Sequence, residues 1–397
     1  MDFSFNLRFN TCYNYQQMNK DFFLNHFPVP NFLKMPAIGF DISDGSVRYV
    51  ELVEKNGKKV LGRYGRIKMP KGTVVDGDIK DKIKLVNILK EIKKKNDFNF
   101  VRISVIEKNS YIFKTVVPYK KGASRDEILG ALSFKLEENV PLSSEDAFFD
   151  FDVLTEKDGQ IEVVVSALPK KIVEQFLEVF EASGMTPISF EVEAQAVARS
   201  SIARGDMGTN MIVDFRSTRA SISVVSEGLV QMTSTIDVGG DDLIAAIQKS
   251  ENVTEVEAEK IKKEKGFKRV GYEDALFYAM MNTITVLKDE ISKYVMYWAT
   301  HHRNELIDKD ARGKVSKIIL CGENGSLRSL DDYLSLSLGL NIEKALVWRN
   351  LFSLDEVVPN MDFFTSLEYA AAIGLAMRHD NDVFSFNTVS LDNLENA

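Results

Sequence analysis

From Ala37 onward, short apolar runs alternate with turn residues in an order that occurs twice. Residues 37–42 read as a buried strand carrying Asp41 near its end, and Ser43, Asp44, Gly45 and Ser46 form a turn. Residues 47–53 continue as a second strand, Asn56-Gly57 is a strong hairpin signal, and residues 59–68 alternate as a third strand. The second half repeats the series. Residues 211–213 are an apolar strand ending on Asp214, residues 215–219 a turn, 220–225 a strand, Glu227-Gly228 a turn, and 229–237 another strand. Two stretches with one order predict an internal duplication and two lobes, which suits a chain of 397 residues, longer than one core usually holds.

Between the repeats the period changes. Ile83, Val86, Leu89 and Ile92 recur at helical spacing over residues 81–95, and residues 101–106 and 111–117 read as strands. Residues 118–188 look like an inserted module: a helix over 124–139 with Asp126 and Glu127 in its first turn, strands over 148–154 and 161–167 joined through Asp158-Gly159, and a helix over 170–183 stopped by Gly184. Residues 191–204 read as a linking helix. Later helices fall at 241–250, 255–266, 275–300, 330–338 and 366–378, and a buried strand at 315–320 runs into Cys321, Gly322, Glu323, Asn324 and Gly325. The stripe Leu276, Met280, Ile284, Leu287, Ile291, Val295 reads as core. Residues 1–36 form an extension in which the segment 21–33 carries Phe22, Phe27 and Phe32 and two prolines and Met18 is an alternative start, and 381–397 a polar, acidic tail. The predicted division is an extension (1–36), a first lobe (37–117 with 189–205), the insertion (118–188), a second lobe (206–380) and the tail (381–397).

Composition narrows the function. The net charge is -8, and the basic runs at Lys93 to Lys95 and over 260–268 read as solvated helix faces, so no nucleic-acid partner is expected. The two cysteines, Cys12 and Cys321, make no CxxC, and the four histidines show no metal-ligand spacing. No apolar run reaches the roughly 18 residues of a membrane span, and the first ten residues lack the order of a secretory signal, so a cytoplasmic chain reaching a membrane only through partners is expected.

The duplicated Asp-bearing hairpin, the late strand ending in a Gly-containing loop and the linking helix resemble the actin-like ATPase fold, an α/β fold. The insertion resembles that of its FtsA/PilM branch. Gly39-Phe40-Asp41-Ile42-Ser43, the segment 70–78, and Leu136-Glu137-Glu138-Asn139-Val140-Pro141 followed by Asp150-Phe151-Asp152 resemble PilM sequences, over about residues 37–380. The resemblance implies ATP with Mg²⁺. Asp41 and Asp214, one per lobe, would hold the metal, and the turns after them would meet the phosphates through Ser43, Gly45, Ser46 and Arg48 and through Arg216, Ser217 and Thr218. Gly239 and Gly240 would let backbone approach a phosphate. Glu193 would face the attacking water as the catalytic acid group, Glu259 and Lys262 would reach ribose and base, and Gly322, Glu323 and Asn324 would border the adenine. Read without the family, the turns are ordinary hairpins, and Glu259 with Lys262 is a surface ion pair.

Three positions depart from the family pattern: Ser43, Arg216 and Glu323 stand where glycine is usual. Arg216 has two readings, a cation that clamps a phosphate or a bulk that blocks backbone approach. Efficient hydrolysis is therefore not expected. The leading function implied is a cytoplasmic scaffold of type IV pilus assembly, peripheral at the inner face of the membrane. It would bind the N-terminal tail of a PilN-like inner-membrane protein in a groove beside the insertion, and assemble as a homo-oligomeric ring that meets the pilus motor ATPases. The alternatives are an FtsA-like division ATPase, which the lack of a basic amphipathic helix in 381–397 opposes, a nucleotide-independent pseudo-ATPase, and a sugar kinase of the same fold.

Overall fold

The computed structural model describes residues 37–55, 57–269, 271, 274–301 and 313–378. The extension 1–36, the tail 381–397 and Asn56 of the hairpin signal lie outside the described residues.

In chain order the elements are β1 (Ala37–Ile42), β2 (Ser46–Lys55), β3 (Lys58–Lys68), β4 (Val74–Val75), β5 (Asp78–Ile79), α1 (Lys82–Asn96), β6 (Phe100–Val105), β7 (Tyr111–Pro118), α2 (Arg125–Asn139), β8 (Ala147–Lys157), β9 (Gln160–Pro169), α3 (Lys170–Ala182), β10 (Thr186–Val192) and α4 (Glu193–Ser201). There follow β11 (Asn210–Phe215), β12 (Ala220–Ser226), β13 (Leu229–Ile236), α5 (Gly240–Glu251), α6 (Glu255–Lys265), α7 (Ala275–His301), β14 (Lys317–Cys321), α8 (Leu330–Leu338), β15 (Asn341–Lys344), α9 (Phe363–Leu367) and α10 (Ala370–Met377).

The duplication is visible in the strand order. One sheet runs β10-β6-β1-β2-β3 and the other β13-β12-β11-β14-β15, the same topology read from opposite ends. In each, an antiparallel meander carries the Asp-bearing strand, and a parallel strand flanks it: β6 beside β1 and β14 beside β11. The central strands β1 and β11 are buried at every position, as strands covered on both faces must be. The α7 stripe buries Leu276, Met280, Ile284, Leu287 and Ile291 in the second core, where Val295 packs at its edge.

A third sheet, β7-β9-β8, packs on α2 around Ile128, Leu132, Leu136, Val163 and Val165. Its outer strand β7 lies before the predicted start of the insertion at 118. The helix after it, α3, inserts Ile172, Phe176 and Phe180 into the first lobe's core instead. The reason is the phase of α3, whose apolar stripe faces the first sheet, with Phe180 edge-on to Phe40 at 5.5 Å.

Three expectations shift. Residues 186–192 form β10, so the linking helix begins at Glu193 and not at 191; Pro187 lies at a break in the register of this outer strand. Residues 341–344 form an unforeseen outer strand, β15. The single helix expected over 366–378 divides into α9 and α10.

Helices α4 and α10 cross very closely. Both are rich in small residues, and a Cβ at Gly374 would lie 1.8 Å from the Ala196 carbonyl oxygen. Only glycine lets the two backbones meet there.

Candidate functional site

The two Asp-bearing turns face each other across a cleft of about 800 Å³. Of the predicted residues, Gly45, Ser217, Thr218, Glu259, Lys262, Glu323 and Asn324 line it. Asp41, Arg48, Glu193, Asp214 and Arg216 lie beneath its floor and are buried.

Beneath the floor one guanidinium holds three carboxylates. Arg216 Nη1 donates to both oxygens of Asp41 at 2.9 and 3.1 Å, and its Nε donates to Asp214 Oδ2 at 2.7 Å. Its Nη2 lies 2.9 Å from Glu193 Oε1, and Arg219 donates to the other Glu193 oxygen at 3.2 Å. Burial alone would raise the pKa of Asp41; Arg216 and then Arg48 outweigh it, and the carboxyl is held below its ordinary value. Burial likewise opposes the charge on Arg216, yet Asp214, Asp41 and Glu193 hold it firmly protonated.

A second layer sits above, centred on Glu323. Its Oε1 accepts from Arg48 and, at 2.9 Å, from Arg66. Its Oε2 accepts from the Ser217 hydroxyl. Arg66 also donates to Glu368 at 3.1 Å. Both layers join the lobes, because Asp41, Arg48 and Arg66 stand on the first sheet while Arg216, Ser217 and Glu323 stand on or beside the second.

The backbone groups proposed for phosphates are engaged inside the protein. Ser43 N–H and Oγ donate to the Ser46 carbonyl at 3.0 and 3.2 Å. Gly240 N–H donates to the Arg216 carbonyl at 2.9 Å, and Gly239 N–H to Asp242 at 2.8 Å. Gly322 adopts a left-handed φ of 80°, and a Cβ there would stand 2.3 Å from Asp214 Oδ1, so the turn needs glycine. Glu259 and Lys262 form no pair: Glu259 meets Lys263 at 3.1 Å, and Lys262 donates to Asn324 Oδ1 at 2.8 Å. Burial lowers the Lys262 pKa to about 8. Sequence reasoning missed Arg66, Arg219 and Glu368; Arg219 closes the second turn, whereas Arg66 and Glu368 carry no local signal.

These residues do not fit a bound Mg²⁺. The donor set is present, but Asp41, Asp214 and Glu193 are gathered on one guanidinium that fills the space between them. Arg48 and Arg219 also stand at their edge, so the buried carboxylates a metal would need are already met by buried arginines. The outer cleft, with Lys262, Asn324 and Arg328 along one wall, has room for a nucleoside-sized ligand.

A second cleft, of about 540 Å³, lies beside the inserted sheet. Asp152 of β8, Gln195 and Arg199 of α4, Met207, Val230 and Arg378 line it. Arg199 and Arg378 both reach Glu191, at 2.6 and 3.3 Å. Asp152 is 5% exposed, and its Oδ1 has no hydrogen-bond partner. Burial, with the charge of Asp150, raises its pKa to about 7.

No described helix is long and apolar enough to cross a membrane. A family described as type IV pilus assembly protein PilM matches residues 39–380. Among solved structures, a chain of a PilM-PilN type IV pilus biogenesis complex is 20% identical, with 86% of this chain and 98% of that chain covered and a TM-score of 0.70. MreB5 of Spiroplasma citri bound to ADP is 14% identical over 92% of this chain and 99% of its own, with a TM-score of 0.52. The fold is thus the actin-like one.

Proposed function

The chain belongs to the type IV pilus assembly protein PilM family, and on that premise we propose that it serves pilus assembly as a cytoplasmic adaptor. The occupant of its second cleft is the N-terminal tail of a PilN-like inner-membrane protein. The observation that carries this reading is Asp152, a buried carboxyl whose Oδ1 has no partner at a groove beside the inserted sheet. An extended peptide supplies the N–H donors that such a group lacks, and Met207 and Val230 give apolar contact. A similar solved structure is that of a PilM-PilN complex, which supports the partner class. The chain would sit at the inner face of the membrane through that partner, with ring assembly and contact with the motor ATPases as further parts of the role. The division into two lobes, the insertion and the flanking segments is retained as the frame of this reading.

A nucleotide-independent version of the role is favoured over an ATP-dependent one by Arg216, which gathers the carboxylates a metal would need. The test titrates the full chain with a synthetic peptide of the PilN-like tail, with and without Mg²⁺ and ATP. Saturable binding in both conditions is expected, and Asp152→Asn should weaken it about tenfold, the effect of one hydrogen bond to a charged group. Binding should also tighten as pH rises through about 7, where Asp152 ionises. Absence of binding in every condition overturns the reading.

A further inference from the structure

The cleft between the lobes holds two charged side chains in the postures of ligands. Arg216 is a cation enclosed by three carboxylates from both lobes and the linking helix. Glu323 is an anion that accepts from two arginines of the first lobe and from the Ser217 hydroxyl of the second. Arg216 is 5% exposed and the Glu323 side chain 15%, and both reach across from the strand ends of the second sheet.

We propose that the cleft is self-liganded: Arg216 stands in for a divalent cation and Glu323 for a nucleotide phosphate, so the lobes are held together by the chain's own charges. This inference is independent of what fills the second cleft. A free carboxylate cluster in the interior would need a counter-ion, because each buried charge without one costs several kcal/mol. Here the counter-ion is covalently attached, so closure needs no ligand concentration and cannot be reversed by dilution or hydrolysis. The same holds for the anion. The guanidinium pair of Arg48 and Arg66, with a hydroxyl opposite, is a donor set suited to a tetrahedral oxyanion, and a carboxylate already occupies it. Arg48 is 1% exposed, and burial lowers its pKa, so it has more to lose than a surface arginine if the anion is removed. A nucleotide that enters the outer cleft meets Glu323, and its binding gains nothing from Mg²⁺.

The test uses thermal unfolding of the full chain with MgCl₂, inorganic phosphate, and ATP with or without Mg²⁺. The wild type should shift by less than about 1 °C with Mg²⁺ and phosphate, and Mg²⁺ should leave ATP affinity unchanged within about twofold. Glu323→Ala opens the anion position, so millimolar phosphate should raise its midpoint by about 2–4 °C. Arg216→Ala frees the carboxylates, so Mg²⁺ should restore part of the midpoint it loses. Should Arg216→Ala not fold, Glu323→Ala decides alone: no phosphate effect in that variant overturns the inference. So does a wild-type chain whose ATP affinity rises tenfold or more with Mg²⁺ and falls back in Asp41→Asn.

Discussion

The cleft between the lobes and the cleft beside the inserted sheet both gather buried charge, and they differ in how that charge is answered. Between the lobes Asp41, Asp214, Glu193 and Glu323 each meet an arginine, and the Arg216–Asp41 and Arg48–Glu323 pairs cross from one sheet to the other. Beside the insertion, Asp152 carries an oxygen with no partner and a pKa raised to about 7. In a folded protein, buried polar groups are paired almost without exception. Between the lobes single atoms such as Asp214 Oδ1 also lack a hydrogen bond, but each carboxylate has an arginine against it, whereas no ion pair reaches Asp152 among the described residues, and that is where a partner can contribute. On the self-liganded reading proposed above, the actin-like cleft, which the fold would mark as the ligand site, takes the structural role.

Four measurements would break or sharpen that contrast. The largest effect belongs to Arg216→Ala, which leaves Asp41, Asp214 and Glu193 without their shared cation. Chemical denaturation should show a loss of about 3–5 kcal/mol, and a loss under about 1 kcal/mol would mean that the latch is ornamental. Next comes Asp152→Asn. The folded chain holds a proton on Asp152 up to about pH 7, while the unfolded chain releases it near the ordinary aspartate value of 3.8. Stability should therefore fall as pH rises from about 4 to about 7, and the Asn variant should lack that slope and gain on the order of 2 kcal/mol at pH 8. A pH-independent difference between the two would remove Asp152 from the argument.

Lys262 gives a smaller effect of opposite sign. Its folded pKa of about 8 lies below the ordinary lysine value of 10.5, so the unfolded chain binds more protons between the two and stability rises over that range. Lys262→Met should abolish a rise of about 1 kcal/mol between pH 8 and pH 10, a figure reduced for the side chain's partial exposure. The smallest effect is that of Lys58→Ala, which removes an exposed pair with Glu356 and should leave the denaturation midpoint unchanged. A lowered midpoint would show that surface charge, and not the buried layers, dominates.

The features legible in the sequence were the local ones. A strand, an Asp and a turn lie within a few residues, so Asp41 and Asp214 declared themselves, and the α7 stripe repeats at a spacing that needs no partner to read. Arg216 was visible as an anomaly, but its role was not, because Asp41 is 175 residues away and only the closure of the two sheets brings them together. The same distance effect hid Glu368 from Arg66. Strands β10 and β15 escaped because a proline interrupts one and the other has four residues, each too short a stretch for a period to appear. The phase of α3 was readable as amphipathic, but which core it entered was a tertiary matter.

Helix α4 has nine residues, and it serves both clefts. Its first residue, Glu193, pairs with Arg216 and accepts from Arg219, and its Gln195 and Arg199 line the wall beside Asp152. At its middle, Ala196 is pressed against Gly374, so the helix cannot bend around the contact. Displacement at one end is a displacement at the other. Linkage then requires reciprocity: whatever free energy a ligand in the second cleft draws from moving this helix must equal what closing the lobes contributes to the ligand's affinity. If the proposed partner moves α4 in the second cleft, the Ala196–Gly374 contact is where that movement would reach the lobe interface.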